Sequence, residues 1–297
     1  MRVLVGADVG GTKLAVQVTA LDGTPLADLH VAAEGWAAAP VDEAAYWLLT
    51  HLAGAVPAGD EIAALGIGAQ GCDTPEHCAH LAAAIEARCV PATVVNDAAL
   101  LVPAADLTAG IGVIAGTGSI AVGTAADGAV LFAGGWGWVL GDEASAPAIL
   151  REATRSALAA HDDGRPDDGL LAALLARFGV ADPPALARAV NDEPTTANWG
   201  RGAVSVFQAA DAGSVLAAQV IDEAARHLTV LVDQLVRRGS VGETVVAAGS
   251  VLLNQPRLVE RFRARLAVVQ PALRLILLTV PPVAGGVVLA RRRLDLP

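Results

Sequence analysis

The chain has 297 residues, 54% hydrophobic but only 3% aromatic, so it can fold as one large or two ordinary domains with interiors of Ala, Val and Leu. Its formal net charge of -11 opposes a nucleic-acid partner, and the one basic cluster, Arg291-Arg292-Arg293, reads as the cationic last turn of a helix. Cys72, Cys78 and Cys89 are too few and too oddly numbered for a disulfide framework; with no membrane-length apolar run and no leader before the first strand, a cytoplasmic protein is expected.

Residues 2 to 8, 13 to 20 and 25 to 33 alternate as strands, joined by Val9-Gly10-Gly11-Thr12 and by the hairpin signal Leu21-Asp22-Gly23-Thr24. Asp8 closes the first of these strands. Helical spacing over 41 to 56 stops at Pro57-Ala58-Gly59, and a buried strand, Ile62 to Gly68, runs into Ala69-Gln70-Gly71. A helix over 76 to 88 and a strand, Ala92 to Val95, lead to Asn96-Asp97. An antiparallel start followed by strand and helix alternation predicts a mixed sheet with helices on its faces. Ligands of such sheets collect at the carboxyl ends of the strands, where Asp8, Gln70, Asn96 and Asp97 fall.

Ile111 to Ala115 opens a second meander, turning at Gly116-Thr117-Gly118-Ser119 into Ile120 to Gly123. The strand, Gly/Thr turn, strand device thus recurs after about 105 residues, as an internal duplication of the fold would produce. Residues 141 to 160 read as a helix, and 165 to 200 as a partly helical, Pro-interrupted cap. A long helix over 213 to 238 carries the apolar stripe Val215, Leu216, Val220, Leu228, Leu231, Leu235. Strand 244 to 248 ends in Ala248-Gly249-Ser250; helix 256 to 267, strand 273 to 278, Pro281 to Gly286 and a last helix complete the chain. The expected domains are 1 to 110 and 111 to 282, the second with a helical insertion over about 155 to 212, and with 283 to 297 packing back onto the first.

Paired glycines let backbone N–H groups approach an anion, so Gly10-Gly11 and Gly116 to Ser119 suit phosphate, helped by Thr12, Thr117 and Lys13, the only lysine. Asp8 is a candidate Mg2+ ligand. Asp97 can act as a general base or cap the helix after it, and the two roles are compatible. In Gly134-Gly135-Trp136-Gly137-Trp138-Val139-Leu140-Gly141-Asp142-Glu143, glycines flank two indoles before an acidic pair. That composition fits a sugar-binding wall with Trp138, Asp142 and Glu143, or a core tryptophan pair with a capping Asp. Cys72, His77, Cys78, His80 and Cys89 do not have zinc spacing.

With these pieces in order, the chain resembles the N-acetylglucosamine and glucosamine kinase branch of the actin-like ATPase and sugar kinase superfamily, a branch that also holds the acyl-CoA dehydratase activator ATPases. Asp8 to Lys13 resembles its first phosphate motif, Val94 to Ala98 its first connecting motif and Gly116 to Ser119 its second phosphate motif. Ala247 to Val251, with Gly249 and Ser250, resembles the adenosine motif; Pro281 to Gly286 resembles the second connecting motif, and Gly135 to Ser145 the substrate segment. Ala144 stands where the branch usually has glycine.

The resemblance implies two ribonuclease H-like α/β domains with a hinge and an interdomain cleft, a homodimer, and ATP with Mg2+. Asp97 would then deprotonate a sugar 6-hydroxyl, with Gln70, Asp73, Asn96, Trp138, Asp142 and Glu143 as sugar contacts. Asp73, Asp142 and Glu143 lean the expectation toward glucosamine, whose ammonium group wants carboxylates, with N-acetylglucosamine as the alternative. An activator-type ATPase is a further alternative, and a sugar-responsive regulator a last one.

Overall fold

The computed structural model describes residues 1–11 and 13–296. In chain order the elements are β1 (Arg2–Val9), β2 (Lys13–Ala20), β3 (Pro25–Ala32), α1 (Val41–Ala53), β4 (Glu61–Ala69), α2 (Pro75–Glu86) and β5 (Ala92–Val95). A 3-10 turn (Asp97–Leu100) then leads through α3 (Leu101–Ala104) to β6 (Ile111–Ala115), β7 (Ser119–Thr124) and β8 (Val130–Gly134). There follow α4 (Ala146–Asp162), α5 (Leu170–Phe178), α6 (Pro183–Asn191), α7 (Thr196–Gly200), α8 (Ala203–Asp211) and α9 (Val215–Arg237). The chain closes with β9 (Thr244–Ala248), α10 (Ser250–Asn254), α11 (Pro256–Val269), β10 (Arg274–Leu277) and α12 (Val283–Arg293).

The contacts divide the chain into two compact units: Met1–Gly112 with Gly123–Val130 and the segment from Leu278 onward, and Val113–Val122 with Leu131–Leu277. In the first, the strand order is β3-β2-β1-β4-β5, with β1 antiparallel to β2 and parallel to β4. Side-chain alternation gives this sheet two unlike faces. Val3, Val5, Ala7 and Val9 of β1 and Leu65 and Ile67 of β4 point to one side, where they pack with Leu48 and Leu52 of α1 and Leu81 and Ile85 of α2. Leu4 and Ala64 point to the other and meet Ala290 of α12.

On that second face, glycines let α12 lie directly on the strands. A Cβ at Gly66 would stand 2.0 Å from the Gly286 carbonyl oxygen, and one at Gly6 would stand 2.6 Å from the Val287 nitrogen. A Cβ at Gly285 would likewise fall 2.2 Å from the Leu100 carbonyl oxygen. At these glycines backbone thus touches backbone, and no side chain longer than hydrogen fits.

The second unit holds a sheet of order β10-β9-β6-β7-β8, with β9 and β10 parallel. Its long helix α9 buries Val220, Ile221, Leu228, Val232 and Leu235. Val215, expected in the apolar stripe, is instead exposed in the first turn behind the Ser214 cap. Helix α4 starts at Ala146 rather than 141, because Asp142 takes a left-handed φ of 57° and the Ser145 hydroxyl accepts from the Ala148 N–H at 3.3 Å, fixing the first turn there. Among the described residues no single helix is long and apolar enough to cross a membrane.

The glycine contacts yield a stability prediction. Gly286→Ala would push a methyl against the backbone of Gly66, Ala7 and Gly6, and should cost about 3 kcal/mol or more in urea unfolding. Gly54→Ala, at a position with an ordinary φ of -70° where a Cβ would make only an ordinary contact, 3.5 Å from the His51 carbonyl oxygen, should be neutral or stabilise by roughly 0.5 kcal/mol. Equal losses at the two sites would contradict the close packing of α12.

Candidate active site

In the first unit the site begins with strand parity. Asp8 follows Gly6 by two residues, so its side chain leaves β1 on the face that carries α12, at the carboxyl end of the strand. Its β4 partner in the register is Gly68. A Cβ at Gly68 would stand 3.1 Å from Cα of Asp97 and 2.4 Å from the Leu100 side chain, so the missing side chain makes room for the 3-10 turn that carries Asp97. Asp8 and Asp97 are brought together over this gap. Burial, reinforced by the charge of Asp97 and opposed by Lys13, pushes Asp8 up to about 6. Burial likewise raises Asp97 to about 6, with the Asp73 charge adding to it and the Ala98 N–H opposing it.

Asn96, rather than Asp97, caps the turn after β5: its Oδ1 accepts from the Ala98 N–H at 3.0 Å. Asp97 is the first residue of the turn, and its own Oδ1 accepts from the same N–H at 2.9 Å. The Asn96 amide Nδ2 donates to Oδ1 of Asp73 at 3.0 Å. Gln70 lies at the end of β4, where its N–H donates to the Val9 carbonyl at 2.8 Å and its carbonyl accepts from the Trp36 indole at 3.2 Å. Its side-chain oxygen stands 2.7 Å from where a Cβ of Gly11 would be. Gly10 donates its N–H to the Lys13 carbonyl at 2.9 Å, closing the turn. Thr12 lies outside the described residues.

Cys72 and Cys78 are buried, with the Cys78 thiol donating to the Cys72 carbonyl at 3.4 Å, so both belong to the interior of this unit. His77 joins the Ala38 carbonyl at 2.8 Å.

The second unit gathers a separate set. Gly116 closes its turn by donating to the Gly118 carbonyl at 2.9 Å, and its own carbonyl accepts from the Ala146 N–H at 2.8 Å, tying the turn to the start of α4. A Cβ on Gly116 would lie 3.4 Å from both the nitrogen and the hydroxyl of Ser250. Gly249 has φ 96°, and a Cβ there would clash with the Ala115 carbonyl at 2.3 Å. Gly116, Gly118, Ser119, Gly249 and Ser250 are therefore neighbours, with Thr117 exposed at the tip of the turn.

Asp142 joins this set, its Oδ2 lying 3.1 Å from the Cβ position of Gly118. It is 6% exposed, and its Oδ1 has no hydrogen-bond partner among the described residues. Burial raises its pKa and the Glu143 charge adds to this, against the N–H groups of Ser119 and Gly137. Such a buried acceptor fits a ligand hydroxyl or N–H. Glu143 lines a cavity of about 230 Å³ with Arg151, Glu152, Glu223 and His227.

Trp138 packs edge-on against Trp199 at 5.0 Å between ring centroids, and its carbonyl accepts from Arg151 at 3.1 Å. Trp136, on the same glycine-flanked loop, is 76% exposed and offers the freer indole. Sequence reasoning singled out Trp138 and passed over Trp136, because both indoles lie on one glycine-rich loop and the contact with distant Trp199 is what separates them. It also passed over Gly68, whose spacing from Gly66 in β4 was the available signal.

Mg2+ takes one or two carboxylates and completes its octahedron with water and phosphate oxygens. The half-buried Asp8 beside Asp97 fits that pattern, and no group of three ligating side chains occurs among the described residues.

A sequence profile described as the BadF/BadG/BcrA/BcrD ATPase family matches residues 5–269. An N-acetylmuramic acid/N-acetylglucosamine kinase of Clostridium acetobutylicum is 26% identical over 306 aligned positions, covering 99% of this chain and all of that protein. The structure of a candidate N-acetylglucosamine kinase from Chromobacterium violaceum is similar with a TM-score of 0.71 and 25% identity, over 98% of this chain and 99% of the other. A glucokinase of the ROK family from Streptomyces griseus, solved with glucose and AMPPNP, shares the fold with a TM-score of 0.58 and 21% identity, over 97% of this chain and 98% of the other.

The raised Asp97 pKa carries a linkage prediction. Because its folded value of about 6 lies above the ordinary aspartate value of 3.8, the native state loses stability as pH rises from about 4 through about 6. Asp97→Asn keeps the acceptor for the Ala98 N–H and removes the charge, so it should stabilise the protein at pH 8 by roughly 2 kcal/mol and much less at pH 4.5. Thermal melts of both proteins at the two pH values check this; an equal shift at both would reject the buried-charge account.

Proposed function

The chain belongs to the BadF/BadG/BcrA/BcrD ATPase family, and we propose that it is an ATP-dependent kinase that phosphorylates the 6-hydroxyl of an amino sugar. The observation that carries phosphoryl transfer is the Asp8–Asp97 pair at the carboxyl ends of two parallel-sheet strands. Asp97, raised to about 6, is ionised at neutral pH yet basic enough to accept a proton from the attacking hydroxyl. Asp8 would hold Mg2+, which when bound neutralises charge on the phosphate oxygens. Gly10 and Gly11 would present backbone N–H groups to phosphate. Gly116, Thr117, Gly118 and Ser119 form a turn of the same kind that suits phosphate, with Gly249 and Ser250 beside it for the nucleoside.

For the sugar, N-acetylglucosamine is the better supported acceptor. The Clostridium relative carries that activity in its description, and the Chromobacterium structure is described in the same terms. Of the three carboxylates that favoured the free amine of glucosamine, Asp73 is engaged with Asn96, and burial makes Asp142 a weaker anion while leaving it an acceptor for an amide N–H or a hydroxyl. Glu143 is the one that still favours glucosamine. Gln70 and Asn96 would contact the sugar, and the exposed Trp136 indole suits stacking on an apolar sugar face.

A coupled assay with ATP and Mg2+ against N-acetylglucosamine, glucosamine, mannosamine and glucose tests this reading. N-acetylglucosamine should give the highest kcat/KM, and Asp97→Asn should lower kcat by a factor on the order of 100 to 10,000 while sugar KM stays within a few fold. Near wild-type turnover in that variant would remove Asp97 from the base role. A higher kcat/KM for glucosamine would restore the amine as the recognised group.

A further inference from the structure

We propose that Asp73 is a positioning residue that acts through Asn96 to hold the Asp97 turn, rather than a ligand of the sugar nitrogen. The inference deepens the kinase reading above and rests on it. Asn96 is 3% exposed, and both ends of its amide are used, Oδ1 by the Ala98 N–H at 3.0 Å and Nδ2 by the Asp73 carboxylate at 3.0 Å. These two bonds leave one orientation of the amide, because a flipped group would set its NH2 against the Ala98 N–H and its oxygen against a carboxylate. The hydrogen bond to Asp73 is charge-assisted and so stronger than a neutral one.

Asp73 is itself held on both sides. Cys72 before it is fully buried, donates its N–H to the Ala69 carbonyl at 3.1 Å and accepts from the Cys78 thiol. Thr74 after it caps α2, its hydroxyl accepting from the His77 N–H at 3.1 Å. The chain from β4 to α2 thus presents a fixed carboxylate to the residue that starts the Asp97 turn. An Asn96 free to rotate would let go of the Ala98 N–H and loosen the turn on which Asp97 stands, and a small misplacement of a general base is expensive in rate. Asp73 is exposed, so replacing it removes a hydrogen bond without opening a cavity.

The test measures kcat and sugar KM for Asp73→Ala, Asp73→Asn, Asn96→Ala and the Asp73→Ala/Asn96→Ala double variant, with melting temperatures for the same set. Asp73→Ala should lower kcat by about tenfold or more with KM within about threefold. Asp73→Asn, whose Oδ1 still accepts from Asn96, should recover kcat to within about threefold of wild type, and the double variant should be no slower than the slower single one. A tenfold rise in KM with kcat retained, or Asp73→Asn as impaired as Asp73→Ala, would overturn the proposal, since the first would mean that Asp73 meets the substrate and the second that its charge, acting on the substrate or on Asp97, matters rather than its bond to Asn96. Should the wild-type protein phosphorylate no sugar, the kinase reading fails by that result alone. The melting cycle then decides the coupling: additive losses for Asp73 and Asn96 overturn it, and non-additive losses support it.

Discussion

Two carboxylates that would repel one another are forced into one half-buried place, and much of the first unit is arranged to keep them there. Asp8 is fixed by parity on β1 and by the antiparallel and parallel neighbours on either side of it. Asp97 is fixed by the turn after β5 and by its place over Gly68. Asp8 cannot leave without breaking strand pairing, nor Asp97 without unwinding the turn after β5, so desolvation, with the Asp97 charge acting on Asp8 and the Asp73 charge on Asp97, appears as raised proton affinity rather than as a change of shape. This is the pattern expected where stability is given up for chemistry: a charge held in an unfavourable place is ready to take a proton or to be met by a cation.

The same unit shows how an aliphatic chain with few aromatics builds a firm platform. One sheet face is filled by methyl groups from Val, Leu, Ile and Ala, while on the other Gly6 and Gly66 admit the backbone of α12 at contact distance. Close helix and sheet contact of this kind leaves little freedom for sliding. It is also what steadies the 3-10 turn, since Gly285 of α12 faces the carbonyl of Leu100 at the end of that turn.

Much of this was legible in the amino-acid order. Asp8 ends an alternating run, Asn96-Asp97 ends another, and Gly116 to Ser119 interrupts a third, so each turn could be recognised from periodicity alone. What could not be read locally was partnership. That Asp8 meets Asp97 depends on β1 and β5 flanking β4, which no short window encodes. Asn96 and Asp97 are both good capping residues, and only the observed turn assigns the cap to Asn96. Gly141-Asp142-Glu143 reads as an acidic helix start, whereas the left-handed backbone at Asp142 delays α4 to Ala146, capped by Ser145. Trp136 and Trp138 differ only through Trp199, which is 61 positions beyond the second indole.

The account turns on Asp97 being a carboxylate with raised proton affinity because of where the fold holds it. Carboxyl-carbon NMR titration of the ligand-free protein, with Asp97→Asn to identify the resonance, reads that quantity directly. A midpoint of about 6 for Asp97, falling when Asp73 is replaced by Asn, is the expected result. A midpoint near 3.8, the ordinary aspartate value, unmoved by the loss of the Asp73 charge, would contradict it.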